Sequence, residues 1–210
     1  MNIKFISFLL IVIISMAATP VLAAYSTIPS SFRKPFDGSF SPAVYNYYDN
    51  DTSAGIKSYG CGSKTYNAHK GTDFNMPVGT PVYASAPGGV YKTYNNCDTY
   101  GSWESTCGSG YGNHVRIDHE GNKLDGIGLK TIYAHFKLNN VTVQKNVECG
   151  TYLGQSGSSG KSTAPHLHFE VQKYGYPKDD PFKGNCSGPV NWWTALDWNG
   201  FPKSQCQFTW

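Results

Sequence analysis

Apolar and polar positions along this chain alternate in short bursts and seldom recur at three- to four-residue intervals. Thr72-Asp73-Phe74, Pro81-Val82-Tyr83-Ala84, Gly89-Val90-Tyr91-Lys92-Thr93-Tyr94 and His114-Val115-Arg116-Ile117-Asp118 are brief and rich in β-branched and aromatic residues. Thr131-Ile132-Tyr133-Ala134, Thr151-Tyr152-Leu153-Gly154 and His166-Leu167-His168-Phe169-Glu170-Val171 read the same way. Clusters of Gly, Pro and Asn separate these runs, and such runs between turn formers predict strands. No stretch longer than about ten residues has helical periodicity, apart from a short turn of helix expected around Pro189 to Leu196. With 23 glycines in 210 residues, the expected class is all-β: an antiparallel sheet in a sandwich- or barrel-like single domain. Neither an internal repeat nor a low-complexity linker interrupts it. Residues 25–58, rich in Ser, Pro, Tyr and Asn, read as a segment wrapping a domain at 59–181, with a Trp-rich tail at 182–210.

The start of the chain sets a compartment. Lys4, an apolar run from Phe5 to about Ala18, and then Thr19-Pro20-Val21-Leu22-Ala23-Ala24 have the basic, apolar and small-residue parts of a secretory signal peptide. Residues 1–24 are therefore expected to be removed, by cleavage after Ala23 or Ala24; an uncleaved anchor is the alternative. The run is shorter than the roughly 20 apolar residues that cross a bilayer, and no later segment reaches that length. The expected mature protein is secreted, extracellular or periplasmic, with no transmembrane span.

Export also accounts for the cysteines. Cys61, Cys97, Cys107, Cys149, Cys186 and Cys206 all follow the expected leader, and none forms a CxxC pair, so disulfides are expected and not a thiolate metal or redox site. Spacing favours Cys97–Cys107 across a Gly- and Ser-rich loop and Cys186–Cys206 around the tail, with Cys61–Cys149 following by elimination. The net charge of +3 comes without a Lys/Arg run and implies no nucleic-acid partner. A mildly basic surface suits an anionic polymer such as a bacterial wall without specifying one.

The candidate chemistry lies in the histidines. His69-Lys70-Gly71-Thr72-Asp73 is an HxxxD pair, His166-Leu167-His168 an HxH pair, and Tyr133-Ala134-His135 adds one more imidazole. A catalytic Zn2+ takes three protein ligands of imidazole and carboxylate type and keeps one position open for water. The constellation offers those three ligands with two histidines to spare for moving protons. On a strand, residues two apart face the same way, so His166 and His168 look into one site while Leu167 faces the core. Gly71 is expected to let the backbone bend so that His69 and Asp73 both reach the ion. The run Gly157-Ser158-Ser159-Gly160 is expected to let a loop approach a substrate chain closely.

At these residues the chain resembles the lysostaphin-type zinc metallopeptidases, which cleave peptide cross-bridges of bacterial peptidoglycan. The resemblance covers roughly Tyr59 to Pro181 and is most specific at Ser162-Thr163-Ala164-Pro165-His166-Leu167-His168-Phe169-Glu170. It implies His69, Asp73 and His168 as ligands of one zinc per chain, and His135 and His166 as the catalytic pair that does not bind the metal. It implies a secreted endopeptidase with a peptidoglycan peptide as substrate, and leaves open which of the two histidines is the base. It also implies an alternative: a catalytically silent, zinc-containing secreted binding or signalling module on the same fold. Relatives of that kind lack the histidine that is present here as His135.

Other residues carry less. His114 and His119 read as structural. Tyr66, three residues before a ligand, is a candidate oxyanion donor but reads better as a wall of the site. Trp192, Trp193, Trp198 and Trp210 could stack sugars, though a disulfide-clamped cap over the core is the preferred reading. Asn50-Asp51-Thr52, Asn140-Val141-Thr142 and Asn185-Cys186-Ser187 match the glycosylation acceptor pattern, which has meaning only in a eukaryotic secretory pathway.

Overall fold

The computed structural model describes residues 32–36, 43–119, 128–139, 145–173, 176–188, 191–193, 203 and 206. The expected leader, Trp198, Trp210 and the Asn140 acceptor sequence lie outside these residues. The described chain forms ten strands: β1 (Val44–Asn46), β2 (Thr72–Asn75), β3 (Pro81–Tyr83), β4 (Gly88–Tyr94), β5 (Asn113–Asp118), β6 (Leu129–Asn139), β7 (Asn146–Val147), β8 (Tyr152–Ser156), β9 (His166–Lys173) and β10 (Tyr176–Asp179). Seven cover the expected runs. β1, β7 and β10 are additional.

All strand pairs are antiparallel, in the order β1-β2-β9-β6-β5-β4-β7, with β10 also on β9 and β3-β8 joining through β6. The long strand β6 is where the sheet forks. Its first part pairs with β9 as far as Ala134↔His168, and from Phe136↔Ser156 onward it pairs with β8. His135 sits at the switch with φ of 63°. The left-handed region costs an L-residue with a Cβ about 1–2 kcal/mol, so the surrounding pairing holds this residue against its own preference.

One face of the sheet buries the core. Phe74, Leu167, Phe169, Val171 and Tyr133 pack with Phe32 and Phe36 of the N-terminal segment and with Trp192 and Trp193 of the tail. Phe169 lies 5.5 Å from Trp193 and 5.3 Å from Tyr133 between ring centroids. The two tail tryptophans that are described therefore cap the core, and Trp192 donates its indole N–H to Asp179 at 2.6 Å. Of the stretch expected to make a turn of helix, only residues 191–193 are described. Trp193 forms an isolated parallel bridge with Phe32 there.

The disulfides are Cys97–Cys107, as expected, and Cys61–Cys186 and Cys149–Cys206. The pairings Cys186–Cys206 and Cys61–Cys149 are thus incorrect. Among the described tail residues, the Trp192 carbonyl accepts from Phe32 N–H, and that of Lys203 accepts from Lys34 N–H at 2.9 Å. Cys206 is bonded to Cys149 in the turn before β8, whereas Cys186 is held where its N–H donates to the Tyr59 carbonyl at 2.9 Å.

Candidate metal centre and active site

The antiparallel register of β2 and β9 assembles the site. Asp73 is paired directly with His168, and β6 brings Ala134, and with it His135, to the other side of the same residue. Along β9, His166, His168 and Glu170 share the polar face while Leu167, Phe169 and Val171 enter the core. His69 comes from the loop before β2, where its N–H donates to the Tyr66 carbonyl. Gly71 has a different role from the one expected. A Cβ there would lie 2.5 Å from the Phe169 carbonyl and 2.9 Å from the His168 ring, so glycine is required for close packing against a site residue.

His69, Asp73 and His168 are buried, and their donor atoms lie within 4.8 Å of one another. His69 Nε2 is 3.1 Å from Asp73 Oδ1 and 3.3 Å from His168 Nδ1, and His168 Nδ1 is 2.8 Å from Asp73 Oδ1. Each group is held from behind. His69 Nδ1 donates to the Tyr47 carbonyl at 2.6 Å, His168 Nε2 to Glu170 Oε1 at 3.1 Å, and Asn46 Nδ2 to Asp73 Oδ2 at 3.1 Å. Those outward bonds fix the tautomers, as the neighbours of metal-binding imidazoles commonly do. They turn two nitrogen lone pairs and a carboxylate oxygen toward one point. Three acceptors facing each other repel unless a cation lies between them. Around a tetrahedral zinc with bonds of about 2.0–2.1 Å, adjacent donors sit about 3.3 Å apart, close to the separations seen here. The residues fit such an ion in number, chemistry and spacing.

Without an ion, the same cluster holds a proton. Burial opposes charge on His168, but its bonds to Asp73 and Glu170 outweigh burial and raise it to about 9. Burial likewise opposes charge on Asp73, and the His69 and His168 imidazoles outweigh it and hold the carboxyl well below its usual range.

His135 and His166 stand beside this cluster with ring centroids 4.6 Å apart. His135 Nδ1 donates to the Ser159 carbonyl at 2.7 Å and His166 Nδ1 to that of Ala164 at 2.8 Å. Both therefore present Nε2 as a lone pair, and that of His166 lies 3.6 Å from Asp73 Oδ1. Burial lowers both pKa values, that of His135 well below the ordinary range with His166 and His168 adding to the effect. Both imidazoles are neutral bases at neutral pH.

The cleft over the site has two chambers. One, of about 410 Å3, is lined by His69, His135, His168 and Glu170, and the other, of about 280 Å3, by Asp73 and His166. Tyr66, Trp103 and Lys161 line both. Tyr66 stacks on His69 at 4.3 Å and meets Trp103 edge-on at 6.3 Å, which agrees with a wall residue. The Gly157–Gly160 run is not open to a substrate. Ser158 and Ser159 are buried against the Cys97–Cys107 loop, and Ser159 holds His135. Several partners left no trace in the motifs: the Tyr47 carbonyl, Asn46, Trp103, and Tyr111, whose hydroxyl donates to Glu170 at 2.8 Å. His114 and His119 stay structural, buried and lowered by burial to about 4.

A model of Peptidase family M23 matches residues 67–180. DD-carboxypeptidase/endopeptidase Mpg of Neisseria meningitidis is 38% identical over 113 residues, 54% of this chain and 22% of that protein. Peptidoglycan DD-endopeptidase ShyA of Vibrio cholerae is 37% identical over 115 residues, 55% of this chain and 23% of that protein. Among solved structures, a zinc-containing peptidase from Vibrio cholerae superposes with a TM-score of 0.52 at 27% identity, covering 74% of this chain and 40% of that one. The chain thus spans under a quarter of the length of the curated relatives it matches.

Proposed function

The chain belongs to peptidase family M23, whose model covers over half of it, and from that premise we propose that it is a secreted zinc endopeptidase acting on peptide cross-links of bacterial peptidoglycan. The observation that carries this reading is the pairing of two arrangements in one cleft. Three acceptor atoms converge on a cation position, and two further imidazoles offer unoccupied Nε2 lone pairs beside it. His69, Asp73 and His168 are the proposed ligands of one zinc per chain. A zinc ion bound there supplies a Lewis acid that polarises an amide carbonyl and makes water more acidic.

The proton traffic belongs to His135 and His166. Each has its Nδ1–H bound to a carbonyl, so each can take a proton at Nε2 from water in the cleft and return it to the departing amine nitrogen. Positive charge arising on either ring is offset by the Asp73 carboxylate, which the surrounding histidines keep ionised. Three disulfides and a leader-like start support work outside the cytoplasm, and among the described residues no helix is long and apolar enough to cross a membrane.

The test incubates the zinc-loaded protein with purified walls carrying direct cross-links and with walls carrying glycine bridges, followed by mass analysis of released fragments. Cleaved cross-link peptides are expected from at least one wall type. Release from neither, with zinc bound, would establish the silent binding module in its place.

A further inference from the structure

Trp103 and Lys161 serve neither the metal cluster nor the proton-carrying pair, yet both line the two chambers of the cleft. We propose that they form a recognition wall for a carboxylate-bearing residue of the bound peptide, next to the scissile bond. The inference rests on the peptidase reading above and adds the chemistry by which that site selects its substrate.

Trp103 is 57% exposed, but its loop is fastened from several sides. Cys97–Cys107 closes it, Gly101 N–H donates to the Ser158 carbonyl at 2.7 Å, Ser158 N–H to that of Thr99 at 3.0 Å, and Ser102 N–H to that of Gly160 at 3.1 Å. A Cβ on Gly101 would collide with the Gly160 carbonyl, so loop and glycine run are seated backbone on backbone. A large apolar ring held rigidly in a cleft offers contact area at little entropic cost.

Lys161 follows that run, its N–H donating to the Gly110 carbonyl at 2.8 Å, and its ammonium stands 4.5 Å from the Trp103 ring centroid. Among the described residues no carboxylate lies within ion-pair distance of it. The carboxylates that face the cleft are committed: Asp73 to His69, His168 and Asn46, and Glu170 to His168, Tyr111 and Gln172. Asp98 and Glu104 of the same loop line neither chamber. The open charges of the cleft are therefore the cations Lys70 and Lys161, which match an acidic peptide and repel a basic one.

Binding is measured by calorimetry on the zinc-loaded protein with two probes: a four-residue wall stem peptide with free side carboxylates, and the same peptide with those carboxylates amidated. The expected result is about tenfold tighter binding of the free acid, the scale of a charge-assisted hydrogen bond. That preference should fall to near parity in Lys161→Gln, while Trp103→Ala should weaken both probes. Equal affinities in the wild type, or an undiminished preference in Lys161→Gln, would overturn the proposal. Preference without wall cleavage would sink the peptidase reading and keep the recognition wall, and cleavage without preference would do the reverse.

Discussion

His135 is strained in backbone and is a proposed proton carrier in side chain, and the two properties can be separated. Its φ of 63° suits asparagine better than alanine. His135→Asn should therefore unfold no more easily than His135→Ala, while both hydrolyse wall peptides about 10²–10⁴-fold more slowly than wild type, the usual worth of general acid–base catalysis. Zinc content by mass spectrometry should stay near one per chain in these variants and in His166→Ala; loss of metal would make these histidines ligands. Glu170 acts through another residue, since it holds the His168 tautomer by the bond at Nε2. Glu170→Ala should lower zinc affinity about 10–100-fold, with Glu170→Gln retaining more of it, read by competition with a chromogenic chelator. Unchanged affinity in both would remove Glu170 from the support of the site.

At the scale of elements, the Cys97–Cys107 loop is a rigid unit standing on the Gly157–Gly160 run. A disulfide closing so short a loop contributes about 2–3 kcal/mol in the chain-entropy account. The double variant Cys97→Ser, Cys107→Ser should lose that much in denaturant unfolding, yet keep zinc, because none of the proposed ligands His69, Asp73 and His168 sits on the loop. An unchanged midpoint would mean that the backbone bridges alone hold it. The legible elements were those with a repeating pattern: β2, β5, β6 and β9 announced themselves by alternation, and the HxH pair fell on β9 while the HxxxD pair ran from the preceding loop, at His69, into β2, at Asp73. β7 has two residues and β10 contains Pro177, so neither had enough pattern to register. The Tyr47 carbonyl that orients His69 is backbone and carries no side-chain signature, and Trp103 is an exposed ring in an aperiodic loop. The long disulfides were misread because tertiary contacts bring their partners together, Cys186 to the Tyr59 carbonyl beside Cys61 and Cys206 to the turn before β8 that holds Cys149, and spacing carries no trace of these.

At the scale of the whole molecule, two buried groups that line neither chamber of the cleft pull stability in opposite directions with pH. His119 lies between the Pro87 carbonyl and Thr131, and burial lowers it to about 4. Between about pH 4 and 6.5 the unfolded chain binds a proton that the folded ring refuses, so acidification across that window should cost about 3 kcal/mol through this residue. Burial raises Asp180 to about 6, against its bonds from Asn50 and the Phe182 N–H. Its folded form binds the extra proton, and its contribution fades as pH rises from about 4 to 6. Urea midpoints with zinc chelated should therefore climb less steeply over this range in His119→Gln than in wild type, and more steeply in Asp180→Asn. Identical slopes in all three would mean that neither group titrates as its surroundings imply. The Cys61–Cys186 bond, spanning 125 residues, also changes what a protease can do to this molecule. It makes most of the chain a covalent ring, so one cut anywhere between those cysteines opens the ring without dividing it. Nicked once there, the protein remains a single covalent body, with Asp73 of β2 and His168 of β9 still tied to one another.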